Sequence, residues 1–100
     1  MANTFKVMYR GAAATSSATL YTAPALTTAL ITSIVVTNTA ASAATYTLTL
    51  NGVSLATTVA VPANDSLLIE PKQIIAAGQI IAGLASAVTV NFHISGLEIT

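Results

Sequence analysis

The sequence predicts an all-β fold: an antiparallel β-sandwich or jelly-roll-like barrel of about eight short strands, forming one domain over residues 1–100. Three observations carry this. Apolar residues recur at every second position, the period of a strand with two unlike faces. Turn residues punctuate the chain at short intervals, as at Asn51-Gly52, Pro62-Ala63-Asn64-Asp65 and Pro71. Residues 11–64 contain no charge, yet Thr, Ser and Asn interrupt them throughout, so the stretch makes strands and not a membrane span.

The elements follow in order. Phe5 to Arg10 alternates, with Phe5, Val7 and Tyr9 assigned to the core face and Lys6, Met8 and Arg10 to the other. Gly11 to Ser17 is small and polar and reads as a loop. A short strand around Thr19-Leu20-Tyr21 ends before Pro24, which cannot donate to a ladder. Ala29 to Asn38 is apolar on both faces: Leu30, Ile34 and Val36 on one, Ile31 and Val35 on the other. Such a strand is central and covered twice, and in a small domain another subunit is a candidate for the second cover.

Tyr46, Leu48 and Leu50 alternate with threonines up to Asn51-Gly52, a pair suited to a type I′ turn. A two-residue loop then sets Leu50 opposite Val53 and Leu48 opposite Leu55. Ser66 to Glu70 is a strand stopped by Pro71. Gln73 to Leu84 holds a near-repeat, Gln-Ile-Ile-Ala. A helix from Lys72 to Ala82 would place Gly78 in its middle at a cost of about 1 kcal/mol relative to alanine. Two short strands about a turn near Gly78 are therefore expected. In the last strand Val88, Val90, Phe92 and Ile94 share a face, while Leu97 and Ile99 have the opposite parity. A β-bulge near Ser95-Gly96 would restore them to that face.

Composition narrows function. Three basic and three acidic residues cancel, and charged residues are 6% of the chain, against about 25% in ordinary globular proteins. Sixteen threonines and eight serines supply hydroxyls instead. A chain so poor in charge associates unless neighbours or hydroxyls cover its surface. Lys6, Arg10 and Lys72 cannot neutralise many phosphates, so nucleic acid is not an expected partner. No cysteine is present, which removes disulfides, thiolate zinc sites and a cysteine nucleophile. The Met1–Lys6 segment lacks the layout of a signal peptide, and no membrane partner is expected.

Candidate chemistry is sparse. His93 is the only histidine, and Asp65, Glu70 and Glu98 are the only carboxylates that could join it at a metal. No two of these have a characteristic spacing. A glycosidase needs two carboxylates flanking a cleft, but Asp65 falls in a turn and Glu70 precedes a proline, which suits solvation or a salt bridge with Lys72. No Gly-x-Ser-x-Gly elbow or phosphate loop occurs. No cofactor or metal is implied, and an enzyme is not expected. The candidate interface residues are Ile31, Ser33, Val35 and Thr37 on the second face of the central strand, with Lys6, Met8 and Arg10 on the first strand.

Leu20-Tyr21-Thr22-Ala23-Pro24-Ala25, then Ser33-Ile34-Val35-Val36-Thr37-Asn38, then Gly96-Leu97-Glu98-Ile99, resembles small β-rich virion proteins of tailed bacteriophages, a likeness running from Phe5 to Thr100. Many such proteins carry an acid after the glycine of Leu-x-x-Gly-Asp-x-Ile. Here that place reads Ala77-Gly78-Gln79-Ile80, so no role of the acid transfers. The resemblance implies a structural component of the particle, first a capsid decoration (cement) protein. Such proteins are typically small β-folds, often homotrimeric, seated where capsomers meet. Its partners would be copies of itself and the major capsid or other virion proteins, and its location the virion, assembled in the host cytoplasm. The alternative is a tail, neck or fibre component that binds a receptor or glycan or acts as an adaptor.

Overall fold

The computed structural model describes residues 3–100. It contains nine strands: β1 (Asn3–Ala12), β2 (Ala18–Thr22), β3 (Thr28–Asn38), β4 (Ala44–Leu50), β5 (Val53–Val61), β6 (Ser66–Ile69), β7 (Gln73–Ile75), β8 (Ile80–Ala85) and β9 (Val90–Ile99). No helix occurs among the described residues. One sheet has the order β1-β9-β3-β6, with β7 also pairing β3, and the other has the order β2-β8-β4-β5. All pairings are antiparallel.

That interleaved order is the jelly roll of the sequence reading. Nine strands occupy eight positions because β6 and β7 lie end to end along β3. Pro71 divides them, having no N–H for the ladder, and Lys72 takes a positive φ of 51°. The two Gln-Ile-Ile copies are strands about a turn at Gly78, as expected, but β7 joins one sheet and β8 the other.

Between the sheets lie Ile31, Ile34, Val36, Leu48, Val61, Ile75, Ile81, Val90, Phe92 and Ile94, all fully buried. Tyr46 meets Phe92 edge to face, 6.1 Å between ring centres, the arrangement favoured by aromatic quadrupoles. Asn51 and Gly52 have φ of 49° and 83°, the two positive angles of a type I′ turn. Leu50 faces Val53 as expected. Leu48 faces Ala56 and not Leu55, because β5 bulges immediately after the turn. β5 is irregular again at Thr58, whose N–H donates to Thr47 Oγ1 at 3.0 Å. Such bulges blunt an exposed edge strand.

The expected bulge in β9 is corrected. β9 runs straight, and its two neighbours carry the extra residues: Met8 in β1, between Val7 and Tyr9, and Thr32 in β3, between Ile31 and Ser33. Thr32 Oγ1 donates to the Ser95 carbonyl at 3.0 Å and closes the second bulge. Gly96 is why the bulges sit there. A side-chain carbon on Gly96 would overlap the Leu30 carbonyl oxygen and lie 2.6 Å from Met8 Cε. The methionine occupies the space that glycine leaves, and Leu97 and Ile99 stay on the outer face of the sheet.

These bulges invert parity and correct the assignments made before them, including that of Leu30, placed with Ile34 and Val36 but lying on the outer face beside Leu97. Met8 is buried against the core, and Lys6, paired with Gly96, lies on the opposite side of the sheet from Arg10, paired with His93, so the three share no surface. Ile31 joins Ile34 and Val36 inside and is not an interface residue. Phe5 and Val7, assigned to the core, are exposed on the outer face.

A polar bond also joins the sheets. Tyr21 Oη donates to Glu98 Oε2 at 2.6 Å. Burial first, then the neighbouring carboxylate, raises the tyrosine's pKa far above its ordinary value. Burial raises that of Tyr46 as well. Because the folded state holds both phenols neutral, their contribution is fully present below the unfolded value of about 10 and is lost as pH rises above it. Thermal melts between pH 8 and pH 11.5 should therefore show a steep fall above pH 10. Tyr21→Phe should cost about 1.5 kcal/mol at pH 7, the low end for a bond to a charged group, and make the alkaline fall shallower. An unchanged alkaline slope in that variant contradicts this account.

Candidate interaction surface

The outer face of the β1-β9-β3 sheet is graded along its length. Cross-strand partners share a face, so the ladder can be read in rows. The first row, Asn3–Ile99–Thr28, has a polar residue on either side of Ile99, and the second, Phe5–Leu97–Leu30–Ile74, crosses β1, β9, β3 and β7 and is wholly apolar. Next comes Val7–Ser95–Ser33. Then Arg10–His93–Val35–Leu68 mixes both kinds, and Ala12–Asn91–Thr37–Ser66 ends the face in polar groups. Thr37 and Ser66 hydroxyls lie 3.2 Å apart.

The exposed large apolar side chains are Phe5, Val7, Leu26, Val53, Leu68, Ile74 and Val88. Five of these seven gather at the end where β1 begins and β9 finishes. Phe5, Val7 and Ile74 belong to the outer rows. Leu26 lies just before Thr28, which pairs with Ile99. Val53 lines a cleft of about 330 Å³ together with Ile74, Leu50 and Leu55, and Asn51, Ser54, Gln73 and Gln79 add polar groups to its wall. That cleft opens between the edges of the two sheets, beside β5 and β7, and no charged residue lines it. Phe5 stands on the opposite edge, 88% exposed.

Leu26 is 93% exposed at the third position of the Pro24–Thr27 turn, where the Thr27 N–H donates to the Pro24 carbonyl at 3.2 Å. Its φ of 59° favours glycine or asparagine, and a leucine there carries strain of about 1 kcal/mol. Strain at an exposed apolar tip points to use of the side chain and not to stability. Leu26→Asn should raise the chain's unfolding free energy by about 0.5 kcal/mol in urea titration, since asparagine tolerates this φ. A loss of stability would show that Leu26 is held by contacts within the chain.

Ser33, Val35 and Thr37 lie half-buried on the outer face, as the alternation predicted. Arg10 is exposed in the same sheet, in the row of His93 and Val35. Lys6 is exposed on β1, paired with Gly96 and so on the other side of the sheet from Phe5. The structure thus assembles Ser33, Val35, Thr37 and Arg10 on one face and removes Ile31, Met8 and Lys6 from it. Phe5, Leu26, Val53 and Ile74 escaped the sequence reading. The signal for Leu26 was available: a leucine inside a proline-initiated turn has nowhere to bury.

The titratable groups do not converge. His93 is half-buried between Arg10 and Val35 along its row. Asp65 Oδ1 accepts from the Ser66 N–H at 2.8 Å within its turn, and Glu98 holds Tyr21. Glu70 and Lys72 are both exposed, in keeping with solvation, one of the two alternatives given for Glu70. Among the described residues no three of His, Asp and Glu gather as a metal-binding group. Compared with known protein families, with curated proteins and with solved structures, the chain matches none.

Proposed function

We propose that this chain is a non-enzymatic structural protein of a tailed-bacteriophage virion, a decoration (cement) protein that packs between capsid subunits and stabilises the head. The observation that carries the reading is the gathering of five exposed large apolar side chains at one end of the molecule. Exposed apolar side chains scattered singly are ordinary, whereas five at one end of a small domain mark a contact region. The scarcity of charge and the abundance of hydroxyls support the same reading. The jelly roll recurs in viral capsid domains, which adds support by fold-level analogy alone.

The mechanism is burial. A stable interface removes about 1,200–2,000 Å² from water. At roughly 25 cal/mol per Å² of apolar area, repeated contacts around a shell add up to resistance against internal pressure. Copies act as a homotrimer, and the trimer meets the major capsid protein.

The test uses heads assembled from the same phage's major capsid protein without this chain. Adding purified protein should saturate them at a fixed ratio and raise their disruption temperature. Heads that bind none of it at micromolar concentration overturn the cement role. Binding of the protein to isolated tails or to host-surface glycans would move it to the tail or fibre alternative.

A further inference from the structure

We propose that copies of this chain join head to tail, with Phe5 of one copy seated in the cleft beside Ile74 of the next. The proposal deepens the reading above, which requires a trimer but leaves open which surfaces meet.

Phe5 and Ile74 lie in the same row of one sheet but on opposite edges, separated by Leu97 and Leu30. One edge therefore presents a projecting phenyl ring, and the other a cleft of about 330 Å³ whose wall sets Val53, Leu50 and Leu55 among the uncharged polar side chains of Asn51, Gln73 and Gln79. A volume of ~150 Å³ is enough to hold a benzene molecule, so a cleft of about 330 Å³ has room for the ring. Because knob and cleft share a row, rotating a copy about an axis roughly parallel to the strands brings one onto the other. A contact between unlike patches makes a ring when that rotation closes, and three copies are the small closed case the reading calls for.

The choice of a second copy over a foreign partner follows from the same features. Both halves of the contact are on this chain, at matching height. No charged residue lines the cleft, and the zero net charge leaves copies little mutual repulsion. A buried phenyl ring covers ~150–250 Å². The remainder of the ~800 Å² that a standard interface takes from each partner would come from Val7, Leu26 and the outer row beside them.

Sedimentation velocity on wild type, Phe5→Asp and Ile74→Asp at matched micromolar concentrations tests this. Both substituted positions are exposed, and circular dichroism melts confirm that each variant folds. Wild type should sediment as a trimer and each variant as a monomer, with association weakened ~30-fold or more, as for loss of an interface hot spot. The decisive sample is an equal mixture of the two variants. Phe5→Asp keeps an intact cleft and Ile74→Asp keeps an intact ring, so the mixture should form a dimer that neither forms alone. A mixture that stays monomeric, a variant that remains trimeric, or a monomeric wild type each overturns the proposal. Head binding, measured separately with the same variants, reports on the cement role: variants that trimerise but no longer bind heads would assign the apolar end to the capsid protein.

Discussion

Gly96→Ala should destabilise the chain by more than about 3 kcal/mol, and Gly96→Val should prevent folding at 37 °C. A domain of this size has about 5–15 kcal/mol in total. The added carbon would overlap the Leu30 carbonyl oxygen, part of the backbone, and press within 2.6 Å of Met8 Cε. A side chain can rotate away, but a carbonyl on a paired central strand moves only if β3 and β9 part. Overpacking in a core costs about 1–3 kcal/mol when the clash is with side chains, and the backbone clash here places Gly96 beyond that range. Two other glycines provide the scale. At Gly11 the new carbon would meet only the Tyr9 ring, 3.5 Å from Oη, so Gly11→Ala should fall within about 0.5 kcal/mol of wild type. At Gly83 it would lie 2.8 Å from Leu48 Cδ2 and 3.1 Å from the Thr47 carbonyl, so an intermediate loss of about 1–2 kcal/mol is expected. Urea titrations of the three alanine variants should give that order. Gly96→Ala within 1 kcal/mol of wild type would mean that the bulges at Met8 and Thr32 do not depend on Gly96. The double variant Met8→Ala, Gly96→Ala removes one of the two clashes and leaves the carbonyl in place, so it should not recover stability.

The order of strands along the chain was readable because local chemistry declares it. Asn51-Gly52 announces a hairpin through two residues that tolerate positive φ, and both take it. Pro71 announces the break after β6 because it lacks a donor. The pairing of strands was not readable in the same way. That β9 lies between β1 and β3 depends on contacts between distant segments, and alternation says nothing about neighbours. The faces of β1 and β3 were misread for a further reason. A bulge is often signalled by a glycine on the bulged strand, but Met8 and Thr32 bulge because the glycine is on β9. Each strand then changes parity at its extra residue. Phe5 and Val7 consequently looked like core, and Met8 and Ile31 looked like surface. The candidate interaction surface was hidden by this inversion. Its residues were visible as apolar, but their exposure depends on a clash avoided far along the chain. Ser33, Val35 and Thr37 were placed on the outer face because they lie beyond the bulge, where parity is regular again.

Asn38→Asp should cost about 3–5 kcal/mol at pH 7, and less at pH 4. Asn38 is 1% exposed, at the end of the molecule away from the apolar cluster. Its Nδ2 donates to the carbonyls of Ser42 at 2.8 Å and Val61 at 3.3 Å, with Pro62 at 3.4 Å. Its Oδ1 accepts from the Ala40 N–H at 3.1 Å and from Thr89 Oγ1 at 3.2 Å. One side chain thus ties the β3–β4 connection, the end of β5 and the β8–β9 connection together. An ionised carboxylate there turns an oxygen toward carbonyl oxygens and leaves them unpartnered in a buried place. An uncompensated buried charge costs on the order of 3–5 kcal/mol. Protonation restores one donor, so the folded state should hold the new carboxyl's pKa above the unfolded value of about 3.9. The variant is then most stable below about pH 4 and loses stability as pH rises from there through the raised folded value. Wild type has no such group at this place and should lack this component. Urea titrations of both proteins at pH 4, 5.5 and 7 measure the difference, and a gap that fails to widen with pH contradicts the donor-to-carbonyl account. Asn38→Leu supplies the second readout: it deletes donor and acceptor together, so its loss should be large and independent of pH. Because Asn38 lies far from Phe5 and the cleft, Asn38→Asp molecules that remain folded at pH 4 should still sediment as wild type does at that pH. The network at one end sets how firmly the loops are held, and the apolar cluster at the other sets what the molecule meets. Separate loss of stability and of association in the two sets of variants follows from that division.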